Sequence, residues 1–225
     1  MSGGSVGLPG NFEDMAQFFD ARAPGYERHM QENVEDFAAF YRSISDALPE
    51  LGDSPEILDL GIGTGLELDC LFERFPSAAV TGIDLSTGML DELARKSQPW
   101  RRQLKLITGS FLELDFGCSS YGAVISSMAL HHWPPHVKLD LYRRIRNSLR
   151  PEGVFVNGDY ITSEESSIRR LAEFTSSQTD ERHQRHIDLP LSPKLEKELL
   201  EEAGFREIQI PFRRTNVCVF VASKR

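Results

Sequence analysis

Cysteine is scarce in these 225 residues: Cys70, Cys118 and Cys218 stand far apart and show no C-x-x-C spacing. That excludes a disulfide framework and a thiolate zinc site as organisers of the fold. No apolar run approaches the roughly 18 residues a membrane-spanning helix needs. The N-terminus also lacks the basic-then-apolar pattern of a secretory signal, so a cytoplasmic protein with no membrane partner is expected. Basic residues are outnumbered, 25 against 34 acidic, for a net charge of -9. A phosphate backbone attracts the opposite sign, which makes nucleic acid a disfavoured partner. The small clusters around Arg101-Arg102 and Arg143-Arg144-Arg146 are expected on solvated faces.

What is present is the composition of an ordinary globular domain, 40% hydrophobic and 26% charged. At about 100 to 200 residues per domain, one domain over residues 11–225 is expected, behind a glycine-rich mobile leader at 1–10. Phe12, Met15, Phe18 and Phe19 recur at helical spacing, as do Val34, Phe37, Phe40, Tyr41 and Ile44, with a break at Ala23-Pro24-Gly25. Residues 11–50 therefore read as a helical cover made of two helices.

From Glu56 onward short apolar runs alternate with helical segments. Strands are expected at 57–60, 79–83, 104–107, 123–126 and 154–156, with helices at 66–75, 87–96 and 137–149 between them. Such alternation yields a parallel sheet with helices on both faces. Helices at 163–180 and 192–202 follow, then two strands, 205–211 and 217–222, joined closely enough to pair antiparallel at the sheet edge. The expected fold class is α/β, a Rossmann-like, mostly parallel seven-stranded sheet. Residues 161–192 would form a lid or acceptor-binding insert.

The sharpest local signal is Ile57-Leu58-Asp59-Leu60-Gly61-Ile62-Gly63-Thr64-Gly65, a strand running into alternating glycines and then a helix. Glycine permits the turn and lets a ligand approach the backbone, while the helix start offers free N–H groups to an anion. The spacing is G-x-G-x-G, with Leu66 where the dinucleotide fingerprint G-x-G-x-x-G has glycine, which disfavours pyrophosphate. About 20 residues after the last glycine, Asp84 closes the second strand, where an acid can accept both ribose hydroxyls. Ser86 suits the cap of the next helix and leaves Asp84 for a ligand.

These residues, with Val80-Thr81-Gly82-Ile83-Asp84, the segment YGAVISSMALHHW and the lead-in LYRRIRNSLRPEGVFV, resemble the class I methyltransferases that use S-adenosylmethionine (SAM). The resemblance is nearest to small single-domain members related to the tRNA wobble-uridine and carboxy-SAM enzymes. It implies that Asp59, Gly61 and Gly63 hold the methionine moiety, that Asp84 takes the ribose, and that Leu85 and Met89 line the adenine. Ser110 stands where the family usually has an acid on the adenine amine, and Phe111 beside it can pack on the purine or in the core. Ser127 is expected at the methionine portion, and Tyr26 over the cofactor.

Methyl transfer from a sulfonium is an in-line displacement with an activated leaving group, so alignment and exclusion of water matter more than a dedicated base. His131, after the fourth strand, is the candidate catalytic residue should a proton need a receiver. His132, Tyr160, Arg182 and His186 are candidates for substrate contact. No metal site is expected, because the His183 and His186 spacing lacks a metal-binding frame. The reading is a SAM-dependent methyltransferase acting on oxygen or nitrogen of a small molecule, as monomer or homodimer. A nicotinamide oxidoreductase, a non-catalytic SAM-binding protein, a tRNA-modifying relative and a carboxy-SAM-forming enzyme are the competing readings.

Overall fold

The computed structural model describes residues 15–176 and 188–225. Its centre is a seven-stranded sheet built from β1 (Glu56–Leu60), β2 (Ala79–Asp84), β3 (Leu104–Thr108), β4 (Tyr121–Ser127), β5 (Leu149–Tyr160), β6 (Arg206–Arg213) and β7 (Val217–Ser223). The order is β3-β2-β1-β4-β5-β7-β6. The first five strands run parallel, with Asp59 opposite Gly82 on one side and Ile125 on the other. The last two are antiparallel, and β7 slots between β5 and β6. Chain order reverses at β1, so a crevice opens beyond the carboxyl ends of β1, β2 and β4, where ligands of open α/β sheets bind.

Helices α1 (Met15–Arg22), α2 (Tyr26–Asn33) and α3 (Phe37–Asp46) precede the sheet. α4 (Leu68–Arg74), α5 (Thr87–Lys96), α6 (Pro135–Ser148), α7 (Glu164–Ser176) and α8 (Pro193–Glu202) connect or follow the strands. One sheet face packs Phe40, Ile44, Leu68, Leu71, Leu90 and Val156, and the other packs Leu141, Tyr142, Ile145, Phe155, Phe205 and Phe220. Ser86 Oγ accepts from Met89 N at 3.0 Å and caps α5, while Ser192 Oγ accepts from Leu195 N ahead of Pro193 in α8. Both are the helix starts expected of serine before a helix.

Among the described residues three α-helices, not two, precede the sheet. The segment YERHMQEN of α2 buries only Met30, so it shows no apolar stripe to read. It forms because the 3-10 turn Ala23–Gly25 ends with Tyr26 already in helical backbone. Helix α6 stops at Ser148, and Leu149 opens β5 instead of closing the helix. A parallel pairing of Leu149 with Tyr121 draws it into the sheet.

The three leading helices are tied down at named points. Asp20 in α1 accepts from Ser86 Oγ at 2.5 Å and Gly88 N at 2.9 Å, which pins α1 across the positive end of α5. Glu35 and Asp36 hold the β6–β7 turn through Thr215 N and Arg214. Of the arginine clusters, Arg144 donates to the carbonyls of Leu112 and Leu114, and Arg146 to those of Gly204 and Lys224. Both guanidinium groups are thereby held against backbone carbonyls.

Candidate active site

The glycine turn packs directly over the end of β2. Gly61 N and Ile62 N donate to the Ile83 carbonyl at 2.8 and 3.2 Å. Gly61, Gly63 and Gly65 have φ of 75°, 52° and 70°, the left-handed region that disfavours side chains. A Cβ on Gly61 would lie 2.4 Å from Ala129 Cβ, and one on Gly65 would strike Leu68 and Leu93. At Gly63 nothing lies nearer than 3.9 Å. Gly61 and Gly65 are therefore glycines for packing as well as conformation, and Gly63 leaves open room.

That room belongs to a narrow, mostly apolar cleft. Tyr26, Gly61, Gly63, Asp84, Leu85, Met89 and Phe111 line it, together with Met15, Phe19, Met128 and Trp133. Asp84 faces the cleft with one carboxylate oxygen accepting from Gly63 N at 2.8 Å and the other from Ser86 N at 2.9 Å. Burial pushes its carboxyl up to about 6, although these backbone donors pull it down. Burial, and after it the charge of Asp84, drives the Tyr26 phenol far above its ordinary value, so it stays a neutral hydroxyl.

Three expected cofactor residues sit elsewhere. Asp59 lies beneath the turn, fully buried, and neither of its oxygens has a hydrogen-bond partner. Glu67, also buried, uses Oε2 to accept from Ser127 Oγ at 2.7 Å and leaves Oε1 unpartnered. Burial raises both carboxyls. Ser110 Oγ accepts from Leu112 N and so closes its own turn.

The cleft adjoins a larger and more open chamber, sharing Phe19, Tyr26, Met128 and His132 with it. His131, Tyr160 and Asp188 complete its polar wall. His131 Nδ1 meets Asp159 Oδ1 at 2.6 Å. Burial would raise the Asp159 carboxyl, yet His131, its hydrogen bond and Lys138 outweigh that and hold it below the usual range. Met128, with φ 52°, forms the divide between the two spaces, a strained conformation of the kind that clusters at functional sites. Arg182 and His186 lie outside the described residues.

The geometry adds Glu67, Asp159 and Asp188 to the sequence candidates. The only sequence trace of Glu67 is an acid just past the last glycine, inside an otherwise apolar helix start. Asp188 reaches the chamber through a long-range backbone tether, Leu189 N to the His131 carbonyl at 2.7 Å.

SAM fits the cleft residues. Its apolar adenine suits Leu85, Met89 and Phe111, and its ribose suits Asp84.

Residues 57–153 match the family described as "Methyltransferase domain". A carboxy-S-adenosyl-L-methionine synthase of Nautilia profundicola is 24% identical over 94% of this chain and 93% of its own length. A malonyl-[acyl-carrier protein] O-methyltransferase of Legionella pneumophila is 30% identical, over 52% of this chain and 40% of its own. Among solved structures the DhpI–SAH complex superposes with a TM-score of 0.70 at 19% identity, covering 93% of this chain and 94% of that one. Among the described residues no helix is long and apolar enough to cross a membrane.

Proposed function

We propose that this chain, a class I methyltransferase dependent on SAM, transfers the methyl group to an oxygen or nitrogen of a small molecule held in the chamber beside the cleft. The observation that carries the reading is the partition of the crevice. A mostly apolar cleft ends on Asp84, and a chamber adjoins it at Met128 with His131, His132 and Tyr160 on its wall.

When bound, SAM supplies a methyl on a sulfonium: its S–C bond breaks, the electron pair stays on sulfur, and the methyl bonds to the acceptor heteroatom, whose proton leaves. The residues bind and orient. Asp84 accepts the ribose hydroxyls, and the backbone of the turn at Gly61 and Gly63, with Asp59 beneath it, takes the methionine end. Leu85, Met89 and Phe111 enclose the adenine, with Ser110 and Ser127 bracing the loops beneath. Tyr26, on the α1–α2 cover, excludes water from the junction. His131 is the proposed catalytic residue: Asp159 fixes its ring so that Nε2 is the nitrogen presented to the acceptor. His132 and Tyr160 are proposed to contact the acceptor, as are Arg182 and His186 of the insert.

Incubation of the purified protein with SAM and a panel of small hydroxyl and amino compounds, read by mass spectrometry, tests this. S-adenosylhomocysteine together with a methylated acceptor supports it. A heavier SAM derivative without S-adenosylhomocysteine would instead support chemistry on SAM itself, the reading favoured by the full-length likeness to a carboxy-SAM synthase.

Two further outcomes are expected. SAM affinity should fall with pH below about 6, because the ribose hydroxyls need the ionised Asp84. One pH unit below that value the loss is about tenfold. As a raised carboxyl, Asp84 adds to fold stability at low pH and loses that contribution as pH rises through about 6. Calorimetric titration between pH 5 and 8 checks the binding trend. Asp59 and Glu67 titrate in the same direction, so Asp84→Asn should be weaker and flatter, and an equally steep variant would transfer the effect to that pair. Separately, Gly63→Val should retain the fold, at a cost of about 1 to 2 kcal/mol for left-handed backbone, while lowering SAM affinity by more than about tenfold, since the branched side chain enters the cleft. Wild-type affinity in that variant would make the turn purely structural.

A further inference from the structure

The chamber wall holds a donor set that the sequence reading did not anticipate. His131 and His132 are adjacent on the 3-10 turn Leu130–His132, both buried. Asp188 lies opposite, with Oδ1 at 3.6 Å from His131 Nε2 and 3.3 Å from His132 Nδ1. All three ligand atoms lie within 4.8 Å of one another. Donor atoms bonded at about 2.0 to 2.2 Å around a tetrahedral ion sit about 3.3 to 3.6 Å apart, the separations found for both histidine–aspartate pairs.

The surroundings hold this set in place. Asp159, itself buried, accepts at His131 Nδ1 and takes the backbone N–H of Leu130 and Tyr160. That is the carboxylate–histidine arrangement which fixes the tautomer of a metal-ligating imidazole and leaves Nε2 as its donor. The His132 ring is edged by Phe19, and the His131 ring by Tyr160. The Leu189 N to His131 carbonyl hydrogen bond carries the neighbouring Asp188 to the two rings. Three donors from two distant segments are thus fixed before any ligand arrives.

We propose that His131 Nε2, His132 Nδ1 and Asp188 bind a first-row divalent metal ion such as Zn²⁺, with Asp159 as the positioning residue behind His131. Two imidazoles and one carboxylate suit a borderline ion of this class, whereas magnesium and calcium prefer oxygen throughout. Three protein ligands leave a position open toward the chamber. An acceptor hydroxyl coordinated there loses its proton to water more readily and is held for attack, so His131 then acts through the ion instead of receiving the proton itself. The role of the ion rests on the methyl-transfer reading above, while its binding does not.

The test uses chelator-stripped full-length protein. Zn²⁺ is titrated by calorimetry, Co²⁺ is followed by its visible absorption, and SAM is titrated into the same samples. The expected result is one equivalent of Zn²⁺ per chain and an intense tetrahedral Co²⁺ spectrum. Asp188→Asn, a half-exposed position, should weaken both by about tenfold or more. Asp159→Asn should weaken Zn²⁺ by a smaller factor and shift the Co²⁺ spectrum. No saturable uptake, or equal uptake by wild type and Asp188→Asn (an adventitious ion only), would overturn the site. If SAM binds under those conditions, the functional reading stands without a metal. Zn²⁺ uptake with no SAM binding would strike the functional reading and leave the metal site intact.

Discussion

Asp84→Ala is expected to weaken SAM binding by about 2 to 4 kcal/mol, since a hydrogen bond to a charged group contributes about 1.5 to 3 kcal/mol and the ribose offers two. In affinity that is roughly 30-fold to 1000-fold. The structure explains why the effect should be this large. Gly63 N and Ser86 N hold the carboxylate from behind, so it is oriented before the ligand arrives and little ordering entropy is lost on binding. The same contacts complicate the alanine variant, because it releases two backbone donors at the turn. Asp84→Asn keeps the shape and one acceptor, and should lose less. Calorimetry with SAM and S-adenosylhomocysteine should show parallel losses for the two ligands, as both carry the ribose. Unchanged affinity in a folded Asp84→Ala sample would remove Asp84 from the site.

The second large effect concerns the fold. Lys138 and Glu196 form an ion pair with both side chains almost fully buried, and Tyr142 donates its hydroxyl to the same carboxylate. Glu196→Ala should destabilise the protein by about 3 to 5 kcal/mol, because an ammonium and a phenol lose their partner inside the core. For a chain of this size that lowers the melting temperature by about 10 °C. Replacing the pair together, Lys138→Met with Glu196→Leu, removes the stranded charge and should recover most of the loss. If Glu196→Ala melts with the wild type, the cluster is solvated in solution. This cluster joins α6 to α8 and includes no residue of the cleft, so SAM affinity at low temperature should change little.

The sheet and the turn were legible in the sequence because their signals are local. Apolar runs such as Ile57 to Leu60 sit in a parallel interior where both faces are buried, and glycines at 61, 63 and 65 advertise backbone angles that other residues avoid. Asp84 followed from the same strand-to-helix grammar. Helix α2 did not, since it buries a single residue and its existence depends on the turn before it and on the Lys96–Glu27 ion pair to α5. The boundary at Leu149 was misplaced because leucine serves a helix end and a strand start equally well until its partner, Tyr121, is known.

The amino-acid sequence by itself determined the Rossmann-like class, the glycine turn and the acid across from it, all set by contacts within one βαβ unit. Tertiary structure decided which glycine opens to a ligand, that Ser110 and Ser127 support loops, that Asp59 and Glu67 lie buried together beneath the turn, and that Asp188 meets His131 and His132. Those facts depend on side chains brought together from separate segments, and spacing along a chain carries no information about distance once the sheet has folded.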